Sequence, residues 1–367
     1  MKILRVAGTI FTLVALTLTV TNRSASADLV SQAQYVNLVQ ALTKETALPL
    51  HRQLAVQSAR LGDVLSGFCA APTIQGQAEV NLHFHAMMDA WQQVEPFRFG
   101  PVMSAPGPSR FQFWPDKRGT GQRQLRQALK DQDQSLLDSA SLATKSVALR
   151  DLQALEVLLF VEPEALQAEG NFRCAYASAI ADHQRTEAAL LYDAWSKPDG
   201  FATELGKAAG GTAVFFDERE AAGAYVNALV STLEVIRLQK LDRPMGLTLA
   251  EARPTRFENW RSERSARNIQ LNLTVLKRLF TDKGGFSALL TKVGKQDDAA
   301  AVEALFDKLL DNLNALNRPL ETLVQEAPAR PALETLLADL RALQALIQDN
   351  VAIDLGLVPG FNATDGD

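Results

Sequence analysis

Cysteine and histidine are both scarce in this chain of 367 residues, at two and four. Two cysteines cannot build a zinc cluster by themselves. No His-Glu-x-x-His and no Gly-x-Ser-x-Gly occurs, and neither cysteine has a convincing histidine partner in sequence. The glycine-containing stretch Gly206 to Gly211 lacks the Lys-Ser/Thr of a phosphate loop. An ordinary hydrolase or nucleotide enzyme is therefore unsupported. Sustained alternation of apolar and polar residues, the mark of a strand, is missing too. So is a basic excess: 37 Lys+Arg face 42 Asp+Glu. An acidic chain with scattered arginine is a poor partner for nucleic acid or an anionic membrane surface.

The one long apolar run is N-terminal. Met-Lys-Ile-Leu-Arg leads into apolar residues from Val6 to Val20, then Ala25-Ser26-Ala27 before Asp28. That order reads as a cleavable signal peptide over 1–27, with a retained anchor as the alternative. The run is short and threonine-rich for a membrane span. Without Lys2, Arg5 and Arg23 the 37 basic residues become 34 against 42 acids, a net charge near −8 for the exported chain. In an exported protein Cys69 and Cys174 read as one disulfide, with two buried thiols as the alternative. Such a long closed loop contributes on the order of 4–5 kcal/mol in the chain-entropy account.

What is present is helix. Residues 29–47 and 50–70 are helical stretches, with Pro49 as a break or kink. Residues 76–96 place Val80, Phe84, Met87, Met88, Trp91 and Val94 at helical spacing. Further helices are expected over 121–130, 134–140, 146–161, 171–196, from Asp217 to about Leu241, and over 257–281, 296–317 and 331–351. Asp217 with Glu220 resembles an N-cap and its N3 acid. Residues 97–121 form a long loop rich in aromatics. That composition argues for packing against the helices and lining something. Lys197 to Thr212 is the best boundary between two halves.

The expected helix around 151–160 holds the most informative residue. Glu156 sits among Leu152, Leu155, Val157, Leu158, Leu159 and Phe160, which surround most of the helix. A carboxylate in such surroundings is paired, protonated or coordinating. Gln153 shares its face. A neighbouring arginine could equally neutralise it. Glu234 occupies a loosely similar place in the second half. His85 and Asp89 lie one turn apart and could share an ion, although such a pair is also a common surface hydrogen bond. His83 points elsewhere, and His51 and His183 are isolated. Arg98, Asp116, Arg118, Arg237, Arg261, Glu263 and Arg264 stand near aromatics or within helices. Their arginines could bind carboxylates bidentately, or neutralise Glu95, Glu156 and Glu234.

Together these residues resemble the imelysin-like family, peptidase family M75. The family hallmark Gly-x-His-x-x-Glu aligns with Asp151-Leu152-Gln153-Ala154-Leu155-Glu156 and the apolar run after it. Other matching stretches are Ala90-Trp91, Glu95-x-x-Arg98-Phe99-Gly100, Trp114-Pro115, Lys240-Leu241 and Gly-Phe-Asn-x-x-Asp-Gly-Asp at 360–367. Asp151 stands where the family has Gly, and Gln153 where it has His. A carboxamide is a poor substitute for imidazole as a transition-metal ligand. The resemblance implies an all-α fold of two bundle-like halves, 28–200 and 201–367. It also implies a periplasmic or outer-surface role, membrane-associated or free, alongside iron or haem uptake components of the cell envelope.

The leading expectation is a non-enzymatic binding protein with iron or haem as the ligand chemistry. Its site lies between the halves, with Gln153 and Glu156 at the floor. Arg98, Asp116, Arg237, Arg261 and Ser262 supply polar contacts, and Trp91 and Trp114 supply walls. The alternatives are an M75-type metallopeptidase, with Glu156, His85 and Asp89 as the candidate metal ligands, and an interaction protein without a small ligand.

Overall fold

The computed structural model describes residues 30–168 and 171–357. The expected leader 1–27 and the motif at 360–367 lie outside the described residues. Among the described residues every regular element is helical, as the absence of alternating runs implies. No helix among them is long and apolar enough to cross a membrane.

The chain opens with α1 (Gln32–Ala41), which passes through a π-helical turn (Leu42–Ala47) into α2 (Leu48–Ala70). Pro49 does not break this run. It falls in the first turn of α2, where the wider π turn precedes it and no regular bond to its nitrogen is needed. Next come α3 (Ile74–Val94), α4 (Thr120–Asp131), α5 (Ser139–Ala143), α6 (Leu152–Phe160) and α7 (Phe172–Ser196). The expected helix at 146–161 therefore starts late. Asp151 caps α6 by accepting from Ala154 N at 2.8 Å, and a short 3-10 turn replaces the first residues.

The connection after α7 contains α8 (Phe201–Lys207), a helix not expected from its Gly/Pro content. Then follows α9 (Glu218–Val235), whose Asp217 cap accepts from Glu220 N while Glu220 accepts from Phe216 N. A second π turn (Ile236–Asp242) carries it into α10 (Arg243–Met245). The remainder is α11 (Ser265–Thr281), α12 (Phe286–Lys292), α13 (Gln296–Ala315), α14 (Leu320–Leu323), α15 (Arg330–Leu346), a third π turn (Ile347–Val351) and α16 (Ala352–Asp354). Here too expectation and structure differ, because 257–264 is not α-helical and holds only a short 3-10 turn, Trp260–Ser262. Asn259 and Glu263 hold positive φ angles there, which unwind the segment ahead of α11.

Two helical groups emerge from the packing. α2 lies against α3 and α7, with α6 on α7; α13 lies against α11 and α15, with α9 on α15. Contacts of α1 with α9 and of α3 with α11 join them. Cys69 and Cys174 are bonded to each other, tying the end of α2 to the start of α7. An aromatic cluster fills the seam at the other end of α2 and α7. Trp195 packs at 4.3 Å from His51 and 5.0 Å from Phe201, and Phe99 at 5.1 Å from Tyr225. Phe97, Phe99 and Phe111 come from the long loop, which does pack inward: Phe111 stacks on Trp91 at 4.6 Å. Burying several such rings contributes more than their area alone, because tilted and offset pairs are favourable.

Candidate cleft over a buried carboxylate

Glu156 is wholly shielded from water. The chain reaches it from the 3-10 turn Trp260–Ser262, which follows Phe257. Ser262 donates twice to Glu156 Oε1, from its backbone nitrogen at 3.0 Å and its hydroxyl at 2.6 Å. The other oxygen, Oε2, has no hydrogen-bond partner among the described residues, and Arg261 Nη1 stands 3.9 Å away. Burial pushes the Glu156 carboxyl up, against the opposing pull of Ser262, Arg261 and the nearby Asn259 side chain. Positive φ at Asn259 (52°) and Glu263 (54°) brackets this short turn. Left-handed backbone at a bulky acidic residue is strained, and the strain is held where the turn meets Glu156.

A cleft of ≈ 140 Å³ lies beside this contact. Its walls come from the long loop (Phe113, Trp114, Asp116), from α6 (Asp151, Gln153, Val157) and from the segment carrying Phe257, Trp260 and Arg261. Gly121 also lines it. A Cβ there would stand 2.9 Å from the Ala148 methyl carbon and 3.3 Å from Asp116 Oδ2, so glycine permits the close approach. Asp116 is occupied by α4, whose Thr120 and Gly121 nitrogens both donate at 2.9 Å. Asp151 is occupied too, accepting from Phe113 N at 2.6 Å and from Ala154 N. Burial still pushes Asp151 up to about 7, because these two donors only partly offset the loss of water.

The expected site residues separate into four places. Gln153, Trp114, Asp116 and Arg261 line the cleft, with Glu156 and Ser262 behind it. Trp91 and Arg98 instead line a smaller cavity of ≈ 130 Å³, with Trp114 common to both. Arg237 stands apart and donates to Gln344 of α15 at 3.2 Å. His85 and Asp89 are brought together, but around arginine. Arg264 contacts both, and Arg267 reaches Asp89 at 2.9 Å. His85 falls to about 4, chiefly through burial and then the Arg264 charge.

A second polar centre was not singled out from the sequence. Lys240, on the second π turn, is 1 % exposed. Its ammonium lies 2.6 Å from Glu95, and 2.8 Å from Glu258, Gln92 and Asn272. Gln112 and Asn259 extend the network: Gln112 accepts from Trp91 at 2.9 Å and donates to Asn259 at 2.9 Å. Asn259 is three residues from Ser262, so one polar seam runs from Lys240 to the Glu156 contact. The available signal was the one used for Glu156, a charge set among Leu233, Ile236, Leu238 and Leu241. Arg243 and Arg256, which also line the cleft, carried no such signal because neither is set within an apolar run.

Fold and site together define an all-α protein with a cation-rich cleft beside a sealed carboxylate. The profile of the Imelysin family, peptidase M75, matches residues 47–347. The chain belongs to that family. It is 23% identical to iron-regulated protein A of Synechococcus elongatus over 324 residues, covering 86% of this chain and 82% of that protein. In fold it is similar to an imelysin-like protein from Psychrobacter arcticum, with a TM-score of 0.77 and 18% identity, covering 90% of this chain and 98% of that one. It is also similar to a protein described as an iron-regulated protein A precursor from Parabacteroides distasonis. There the TM-score is 0.71 and the identity 15%, over 88% of this chain and 96% of that one.

Proposed function

We propose that this protein is an exported, non-enzymatic binding component of iron acquisition in the periplasm. Its ligand site is the cleft over Gln153 and Glu156, between the two halves of the chain. The observation that carries this reading is the state of Glu156. Its carboxylate is closed by Ser262 and faced by Arg261, while the cleft next to it is lined by groups suited to recognition. The names of the relatives, which describe iron-regulated proteins, support the link to iron.

A metal centre of the hydrolytic kind does not fit these residues. Gln153 offers a carboxamide where an imidazole would serve, and His85 and Asp89 are engaged by Arg264 and Arg267. Among the described residues no three His, Cys, Asp or Glu side chains converge. No hydrolytic step follows from this donor set. Haem fits poorly for a related reason. Among the described residues no His, Met, Cys or Tyr lines the cleft to serve as an axial ligand. Its volume also falls below the roughly 300–1,000 Å³ usual for pockets that enclose a drug-sized ligand. Iron, in this reading, is cargo that arrives already chelated.

The test follows tryptophan fluorescence, since Trp114 and Trp260 line the cleft. The mature protein is titrated with ferric citrate, haemin and zinc. Saturable quenching by the ferric chelate at micromolar concentration is expected. Absence of a response to every iron species overturns the proposal, and casein cleavage abolished by Glu156→Gln would replace it with a peptidase.

A further inference from the structure

We infer that the cleft is built for a small organic polyanion, a di- or tricarboxylate, gripped by arginine and by two unpaired N–H donors. The inference rests on the reading of this cleft as the ligand site and adds the chemistry of what enters it.

Three arginines, Arg243, Arg256 and Arg261, line the cleft. Arg256 is exposed and its side chain has no hydrogen bond or ion pair among the described residues. Arg243 has only a long bond of 3.3 Å to Gln239. Arg261 is packed over the Trp260 ring at 4.5 Å, and its one carboxylate neighbour is the 3.9 Å contact to Glu156. Against these stand Asp116 and Asp151, both already accepting from backbone nitrogens. The acids of the cleft are turned to the protein's own backbone, and none of the three arginines has a carboxylate at hydrogen-bond distance among the described residues. Lys117, which also lines the cleft, is engaged and is not counted with them.

Two buried donors point the same way. Gln153 Nε2 and Trp260 Nε1 are shielded from solvent and have no hydrogen-bond partner among the described residues. Buried N–H groups are almost always paired, so two left unpaired in residues that line one cleft call for an acceptor from outside. A carboxylate supplies it and matches the planar fork of arginine. The remaining walls are apolar: Phe113, Trp114, Val157 and Phe257. They favour an anion with a carbon body over a bare inorganic ion. A cleft of ≈ 140 Å³ suits a small anion better than a large one.

The decisive experiment is isothermal titration calorimetry of the mature protein with iron-free citrate, ferric citrate and inorganic phosphate. Citrate is expected to bind, and phosphate at least about tenfold more weakly because it leaves the apolar walls uncovered. Arg256→Ala, an exposed change that leaves folding intact, weakens citrate about tenfold or more by removing one charge-assisted contact. Gln153→Leu weakens it further with an unchanged melting temperature. No citrate heat at about 10 mM, affinity untouched by both substitutions, or phosphate binding as tightly as citrate would each overturn the inference. Citrate binding equally with and without iron keeps the polyanion site and removes iron from the functional reading. Haemin or ferric binding that citrate does not compete away does the reverse.

Discussion

Glu156 and Glu258 are both sealed from water, yet their surroundings differ. Glu258 shares the Lys240 ammonium with Glu95, and Asn268 donates to it at 2.9 Å. Glu156 has one oxygen bound twice by a single serine and the other left unpaired, with a cation 3.9 Å away. A buried network whose charges are matched fixes the packing of the elements that contribute to it. Here those elements are α3, α11 and the π turn after α9, the pieces that join the two helical groups. A carboxylate left half-satisfied beside a cleft costs stability that packing alone does not require. The first region holds the fold together; the second keeps polar capacity in reserve for a ligand.

Removing the shared cation should produce the largest effect. Lys240→Met fills the same volume but leaves Glu95 and Glu258 buried without their counter-charge. A loss of about 3–5 kcal/mol is expected in chemical denaturation. Adding Glu258→Gln should restore part of it, since one uncompensated carboxylate is then gone. If Lys240→Met is as stable as the parent, the network is ornamental and the contrast between the regions fails.

Acidity separates Glu95 from Asp151 next, in opposite directions, although burial also pushes Glu258 up within the first region. Burial pushes Glu95 up, but Lys240 and Arg98 beside it outweigh that and hold it at about 2. Its stabilising contribution is present above its ordinary value of 4.5 and is lost as pH falls towards 2. Asp151, at the cleft, is raised from 3.8 to about 7. The unfolded chain therefore ionises it first as pH rises. Its contribution is complete below about pH 4 and is lost by the time pH passes 7. Asp151→Asn should thus gain on the parent by on the order of 3 kcal/mol between about pH 4 and pH 8. Urea midpoints of the two proteins across that range check it. A difference that does not change with pH would show that Asp151 titrates normally and that the cleft is wetter than its lining suggests.

The sequence exposed these regions unevenly. Helices with strong periodicity, such as α3 and α7, follow from residues that contact their neighbours every three or four positions, so local pattern and packing coincide. Glu156 was conspicuous because its neighbours in sequence are also its neighbours in space. Ser262 and Arg261 were reachable as residues of interest but not as its partners, because 106 residues separate Ser262 from Glu156. The segment 257–264 misled in a specific way. Its composition suits a helix, and the positive φ of Asn259 and Glu263 reflects tertiary contacts that no propensity encodes. Lys240 was hidden for a different reason. A single lysine on a long helix reads as a solvated head on an apolar stem, until the fold brings Glu95 and Glu258 to it.

The smallest expected effect is the sharpest test of the contrast. Glu156→Gln keeps an oxygen to accept both Ser262 donors and replaces the unpaired Oε2 with an amide nitrogen. The loss of a buried charge is favourable, while the weakened attraction for Arg261 is not, and Arg261 retains its stacking on Trp260. These contributions nearly cancel, so a stability change within about 1 kcal/mol is expected. The same substitution at Glu95 should cost several times more, because there the charge is matched by Lys240 at 2.6 Å and by Arg98 at 2.8 Å. Denaturation of the two variants side by side measures the difference directly. If Glu156→Gln proves as costly as Glu95→Gln, the serine–arginine contact is a structural ion pair, and the unpaired oxygen holds nothing in reserve.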